Sequence, residues 1–399
     1  MVNATMINER LSLLRDYPFR RLDSLLADIQ PPVDKEQLIM SIGEPQHPYP
    51  EFVNQVLAEN SRLWGKYPPT PGTRELRESI ADWLMRRYDL TSIQIDPDKN
   101  ILPVSGTREA LFSIALVATP QGTSGPRPAV LMSDPFYQIY SGAALMAGAE
   151  PVYIPTSKET GFLPDLSRLP EETLQRTALT YLCSPSNPQG AAATPQQFNQ
   201  YIEMARKYDF VLAVDECYSE IYSGKPLPGV LTACDQLNAV PKNILTFHSL
   251  SKRSNVPGLR SGFVAGDHQL IQSFGQLRQY TGNASPGPVL AVAAALWKDE
   301  AHVEVNRALY QEKFEDAETL LSKHPCFYKP DGGFYLWLNV GDGEAVAQAL
   351  WQETGVKVMP GRFLSAENGD APGASYIRVA LVHSRQKTAE GLRRIEALL

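Results

Sequence analysis

The sequence predicts an α/β fold: a mostly parallel sheet between helices, followed by a smaller α+β domain. Three observations predict it. From residue 100 onward, short apolar runs alternate with amphipathic helical stretches. The unusual polar residues of that region each fall just beyond the carboxyl end of a predicted strand. After about residue 285 the pattern changes to long helices with separate strands. The expected division is an arm at 1–48 that packs with the small domain, a large domain at 49–295, and a terminal domain at 296–399. A chain of 399 residues can bury cores of this size.

The arm shows weak helical periodicity over Asn8–Leu14 and Phe19–Ile29, broken by Tyr17-Pro18 and Pro31-Pro32. Leu38–Ile42 reads as a strand running into Gly43-Glu44-Pro45. Glu51–Ser61 is a helix. Lys66–Thr73 is a rigid polar loop, and Thr73 caps a helix over Arg74–Tyr88. Strands are then expected at Ile101–Val104, Ala129–Met132, Pro151–Ile154, Ala178–Leu182, Phe210–Val214, Asn243–Phe247 and Phe263–Ala265. Helices are expected at Arg108–Ala118, from Tyr137 to Ala147, and at Pro195–Tyr208, where proline suits the first turn. The terminal part reads as helices Val289–Trp297, Ala301–Ser322, Ala345–Thr354 and Ser384–Leu399, with strands Gly333–Leu338, Val356–Val358 and Tyr376–Ala380.

Composition narrows the function classes. The formal net charge of −7 argues against a nucleic-acid or anionic-membrane surface. No apolar run approaches membrane-spanning length, and no secretory leader is visible, so the expected compartment is cytoplasmic. The 4 cysteines have no zinc-type spacing and read as buried or incidental thiols in a reducing environment. No metal site is expected.

The chemistry centres on Leu245–Gly262. An apolar strand becomes a hydroxyl-rich loop that ends on Lys252 and returns through Pro257-Gly258 to Arg260. An amine held there could form a Schiff base with an aldehyde cofactor, with Ser249, Ser251 and Arg260 holding an anion nearby. A solvated lysine in a polar loop is the bland alternative. Other residues on the same edge tip the balance. Ser105-Gly106-Thr107 opens a helix whose N–H groups suit a phosphate, although ordinary capping explains it as well. Asp215 follows apolar strand residues, and a buried carboxylate there needs a cation such as a protonated pyridine nitrogen. Asn187 and the Tyr218 hydroxyl can donate to a phenolate oxygen, and Tyr137 offers a ring face for stacking. Burial beside Arg260 would lower the Lys252 pKa. Gly43 can bring bare backbone close to a ligand. Arg378, inside an apolar strand, is either a core ion pair or a carboxylate clamp.

Taken as an ordered set, these residues resemble the fold-type-I pyridoxal-phosphate enzymes, specifically the class I/II aminotransferases. The matching pieces are Tyr67 within Lys-Tyr-Pro-Pro-Thr-Pro-Gly, Ser105-Gly106-Thr107, Asp134-Pro135-Phe136-Tyr137, Asn187-Pro188 with Gly190, Asp215-Glu216 with Tyr218, Ser249–Lys252 with Arg260, and Arg378. The resemblance implies that pyridoxal 5'-phosphate is carried by Lys252 and paired with Asp215 at its ring nitrogen. Asn187 and Tyr218 would contact the phenolic oxygen, Tyr137 would stack on the ring, and Arg378 would bind the substrate α-carboxylate. It implies a homodimer with shared sites, in which Tyr67 reaches the partner's phosphate and Asn283–Pro286 lie near the interface. It also implies a two-stage ping-pong reaction in which Lys252 shuttles the α-proton. Asn8–Leu11, Tyr17-Pro18-Phe19 with Arg21-Leu22, and Ser41–Pro45 with His47-Pro48 resemble the bacterial N-succinyldiaminopimelate aminotransferases of lysine and cell-wall precursor synthesis. Those act on the N-succinyl keto acid with glutamate as donor and 2-oxoglutarate as its product. Gln46 and Tyr49 depart from that pattern. Arg20 or Arg21 is a candidate for the additional carboxylate, with helix-surface charge as the alternative. An aspartate, aromatic or LL-diaminopimelate aminotransferase and a carbon–sulfur lyase are the competing activities.

Overall fold

A computed structural model describes residues 7–121, 125–282, 284–367 and 371–399. The arm forms a 3-10 turn at Glu9–Leu13 and helix α1, Pro18–Leu26, with proline in its first turn. Leu22 and Leu26 of α1 pack with Trp337, Met359, Phe363 and Leu364 late in the chain. Strand β1 is only Leu38–Ile39, shorter than expected. Beyond it Met40 donates to the Lys357 carbonyl and accepts from Ala380, so the chain leaves one ladder to bridge toward another. Helices α2, Phe52–Glu59, and α3, Arg74–Arg87, follow, with the Thr73 hydroxyl accepting from Leu76 N at 3.3 Å as a cap.

The large sheet alternates as anticipated. Strands β2 (Ile101–Val104), β3 (Ala129–Asp134), β4 (Glu150–Pro155), β5 (Thr177–Cys183), β6 (Val211–Asp215), β7 (Ile244–Ser249) and β8 (Gly262–Gly266) lie in the order β2-β8-β7-β6-β5-β3-β4. Strand β8 pairs antiparallel with both neighbours, and the other pairs are parallel. Helices α4 (Thr107–Ala118), α5 (Gln138–Met146), α6 (Glu171–Gln175), α7 (Pro195–Tyr208), α8 (Val230–Gln236), α9 (Leu250–Arg253) and α10 (His268–Thr281) intervene or follow. Sequence periodicity did not single out α8 and α10. Both faces of the sheet are buried. Leu212 and Val214 of β6 join one apolar cluster, and Val211 and Ala213 join the other.

Helices α11 (Gly287–Lys298) and α12 (Ala301–Leu321) lead to an antiparallel sheet in the order β11-β12-β9, formed by β9 (Tyr335–Asn339), β11 (Met359–Pro360) and β12 (Tyr376–Ala380). Helix α13 (Gly343–Ala349) runs into a π-helical turn at Leu350–Thr354, and α14 (Arg385–Glu396) closes the fold. The expected strand Val356–Val358 is split. Strand β10, Val356–Lys357, pairs in parallel with β1, whereas Met359–Pro360 pairs with β12. Val358 is the pivot between the two partners.

Candidate active site

The parallel strands end on one edge, where open α/β sheets bind ligands. A cavity of about 550 Å³ opens there. Asp215 is the last residue of β6, Ser249 is the last of β7, and Tyr137 and Asn187 follow β3 and β5.

Lys252 lies on α9 rather than in a loop. The Ser249 hydroxyl accepts from Ser251 N at 3.1 Å, and this cap turns the chain helical directly after β7. The amine donates to the Gly43 carbonyl at 2.5 Å. Burial pulls its pKa down to about 8; Cys217 and Glu44 oppose this, and the charges of Arg378 and Arg108 add to it. The expected helper, Arg260, is not among these causes. Arg260 is exposed and donates to the Pro257 carbonyl at 2.8 Å. Gly43 has no room for a side chain, since an added Cβ would lie 1.7 Å from the Tyr335 hydroxyl.

Asp215 shares a sheet face with Ala213 and with Tyr181 of β5, where α5 packs. Tyr140 of α5 stacks on Tyr181, with centroids 4.4 Å apart and planes at 8°. The Tyr140 hydroxyl donates to Asp215 Oδ2 at 2.7 Å, and Cys217 N donates to Oδ1 at 3.2 Å. Burial raises the Asp215 pKa, against the hydrogen bonds from Cys217 and Tyr140. Among the described residues no lysine or arginine pairs with it.

Arg378 is buried on β12. It donates to Asn187 Oδ1 at 3.0 Å and to the Ser41 carbonyl at 2.8 Å, and its Nε has no partner among the described residues. Its guanidinium lies 4.4 Å from the Tyr335 ring centroid. No carboxylate neutralises it among the described residues, so the core ion-pair reading fails. Tyr218 is buried beside Tyr335, with 3.4 Å between the two hydroxyls.

Ser249, Ser251, Thr107 and Arg260 also line the cavity. Gly106 lies behind it as the N-cap of α4. Its φ is +86°, and an added Cβ would lie 2.3 Å from the Arg260 guanidinium. Ser105 stands outside the lining, 3.3 Å from the Ser285 hydroxyl. Tyr67 is fully exposed and does not reach this chain's cavity. Asn283 lies outside the described residues.

Arg20 and Arg21 do not line the cavity. Arg20 is exposed, and Arg21 lies over Phe363 with Glu367 at 3.5 Å. The cation at the mouth is Arg108, which sequence reasoning missed. It donates to the Tyr137 hydroxyl at 2.7 Å and to the Tyr17 hydroxyl at 3.4 Å, and no carboxylate pairs with it among the described residues. Tyr140 and Tyr335 were missed as well. Tyr140 had one local signal, its i+3 spacing from Tyr137 on the same helix.

The family model for aminotransferase class I and II matches residues 35–395. The chain belongs to this family. Its fold is therefore fold type I, and its cofactor is pyridoxal phosphate. An aminotransferase from Neisseria meningitidis has a TM-score of 0.94 at 42% identity, covering 98% of this chain and 100% of that one. A curated relative from Aquifex aeolicus, named LL-diaminopimelate aminotransferase, is 30% identical over 98% of each chain. A Thermus thermophilus structure described as a probable N-succinyldiaminopimelate aminotransferase has a TM-score of 0.83 at 25% identity, covering 96% of this chain and 100% of that one.

The residues present fit the cofactor. A buried carboxylate without a cation suits a protonated ring nitrogen, and a lysine held partly deprotonated suits attachment to an aldehyde. Serine hydroxyls, Arg260 and the start of α4 supply donors for a phosphate.

Proposed function

We propose that this aminotransferase acts on a diaminopimelate-type substrate and uses glutamate and 2-oxoglutarate as the second pair. The observation that carries the reading is a pair of arginines that meet no carboxylate among the described residues, Arg378 buried inside the cavity and Arg108 at its mouth. A substrate with a carboxylate at each end would satisfy both. The relatives named LL-diaminopimelate aminotransferase favour the free diamino acid. The arm motif around Ser41–Pro45 and His47, with the Thermus likeness, favours the N-succinyl form as a second reading.

When bound, the cofactor supplies an electron sink for the carbanion at the substrate α-carbon. Lys252 would take the α-proton on Nζ as general base and, as acid, deliver it to the carbon of the cofactor's aldehyde group rather than back to the α-carbon. Asp215 would hold the ring-nitrogen proton. Arg378 would orient the α-carboxylate, with Asn187 bonded to it, and Asn187 and Tyr218 would hold the phenolic oxygen. Tyr137 would stack on the ring. Ser105, Gly106, Thr107, Ser249, Ser251 and Arg260 form the phosphate side, completed by Tyr67 from a second copy.

The test is a direct assay of purified protein with 2-oxoglutarate and either LL-diaminopimelate or its N-succinyl derivative, read as glutamate formed. We expect kcat/KM for one of these at least ~10-fold above that for aspartate or phenylalanine, the scale of a single well-placed ion pair. A preference for aspartate or phenylalanine would sink the proposal. Preference for the succinylated compound would select the second reading.

A further inference from the structure

His47 does not line the cavity, yet it links three segments around Lys252. Its Nδ1 lies 2.7 Å from Asn306 Oδ1, and its Nε2 lies 2.6 Å from Lys313 Nζ. The Asn306 amide nitrogen donates to the main-chain carbonyls of Lys252 at 3.3 Å and Arg253 at 3.5 Å. Lys313 Nζ also donates to the Leu381 carbonyl at 2.9 Å.

The proton positions follow from the end of this chain. Carbonyls only accept, so the Asn306 nitrogen faces Lys252 and its oxygen faces His47. His47 must then carry its proton on Nδ1, which leaves Nε2 to accept from Lys313. On the same segment, the Gly43 carbonyl accepts from the Lys252 amine. Residues 43–47 therefore meet Lys252 at its amine and, through Asn306, at its main chain.

We propose that His47 is a positioning residue for Lys252: the Lys313–His47–Asn306 chain fixes the arm against α9 and so sets the Gly43 carbonyl against the Lys252 amine. The inference rests on the reading of Lys252 as the working amine. The chain holds only while His47 is neutral, because a second proton would set donor against donor at Nε2. Burial first, then the Lys313 charge, holds His47 below its ordinary pKa, with the Asn306 bond opposing. Burial also pulls Lys313 down to about 7. The other titratable groups near the pair are Tyr310, whose ring is 4.5 Å from that of His47, and His383, which the Lys313 charge reaches. No carboxylate pairs with either residue among the described ones. The chain is intact above the ordinary histidine range and is lost as pH falls through the lowered pKa of His47.

The experiment compares wild type, His47→Leu and His47→Gln as full-length protein. Reductive methylation of Lys252 after bound cofactor has been removed with hydroxylamine, read by peptide mass spectrometry across pH, gives the midpoint for its amine. In the Leu variant we expect that midpoint to rise by about one unit as water reaches the amine. Turnover of the holoenzyme should fall about 10-fold with little change in KM, the mark of altered positioning. Glutamine offers one donor and one acceptor but does not titrate. It should restore most of the turnover and move the acid limb of kcat to lower pH. If the Leu variant does not fold, the Gln variant decides. An unmoved Lys252 midpoint in Leu, or an unmoved acid limb in Gln, overturns the proposal while leaving Lys252 as the amine. Full transamination by Lys252→Ala would instead remove the reading on which it rests.

Discussion

Asp215 shows how one residue's environment specifies what it can bind. A carboxylate in that position is costly unless a cation or strong donors meet it. Tyr140 and the Cys217 amide provide donors, no lysine or arginine among the described residues pairs with it, and we propose that a protonated ring nitrogen does. Tyr140→Phe removes a hydrogen bond to a charged group, worth about 1.5–3 kcal/mol. With that donor gone the Asp215 pKa rises further and its hold on the ring proton weakens. We expect kcat to fall about 10-fold, measured by steady-state kinetics at saturating cofactor. A kcat within twofold of wild type would show that Tyr140 only packs. Asp215 was legible because a carboxylate after an apolar strand is conspicuous. Tyr140 was not, because its role depends on α5 packing over β5, a long-range contact that no local pattern encodes. Arg108 was hidden for a similar reason. It resembles any charged residue in a first helical turn until the fold brings Tyr17 and Tyr137 to it.

At the scale of elements, we propose that the start of α4 and the turn at α9 form the cavity's phosphate side. Gly106 serves both through its positive φ and through the space it leaves for Arg260. Gly106→Ala adds strain of about 1–2 kcal/mol and displaces the guanidinium. We expect weaker binding of pyridoxal phosphate, measured by equilibrium dialysis, with retained secondary structure by circular dichroism. Unchanged affinity would remove Arg260 from the phosphate site. Periodicity located most large-sheet strands because both faces are apolar and their ends are marked by polar turns. It failed at β1 and at Val356–Val358. There the pairing is two residues long and switches partners, so hydrogen bonds to distant segments outweigh local preference. It also read the approach to Lys252 as a loop, because a single turn of helix closed by Ser249 leaves almost no periodic signal.

For the whole molecule, the C-terminal strand ends gather Lys252, Asp215, Asn187 and Tyr137, while β12 contributes Arg378 and the arm contributes Gly43. The site thus draws on the first and last parts of the chain, which explains why no single motif contained it. Tyr67 is left fully exposed, and we propose that it serves a second copy in a homodimer. Sedimentation velocity should give twice the chain mass at micromolar concentration, and Tyr67→Phe should weaken cofactor binding in the dimer. A monomer with full activity would refute shared sites. The central claim is that Lys252 is the amine that carries the cofactor, and its most direct test is covalent. The holoenzyme is reduced with borohydride, digested, and mapped by mass spectrometry. We expect the phosphopyridoxyl group on the peptide containing Lys252 and on no other lysine. Its appearance elsewhere, or its persistence in a Lys252→Ala protein, would contradict the assignment.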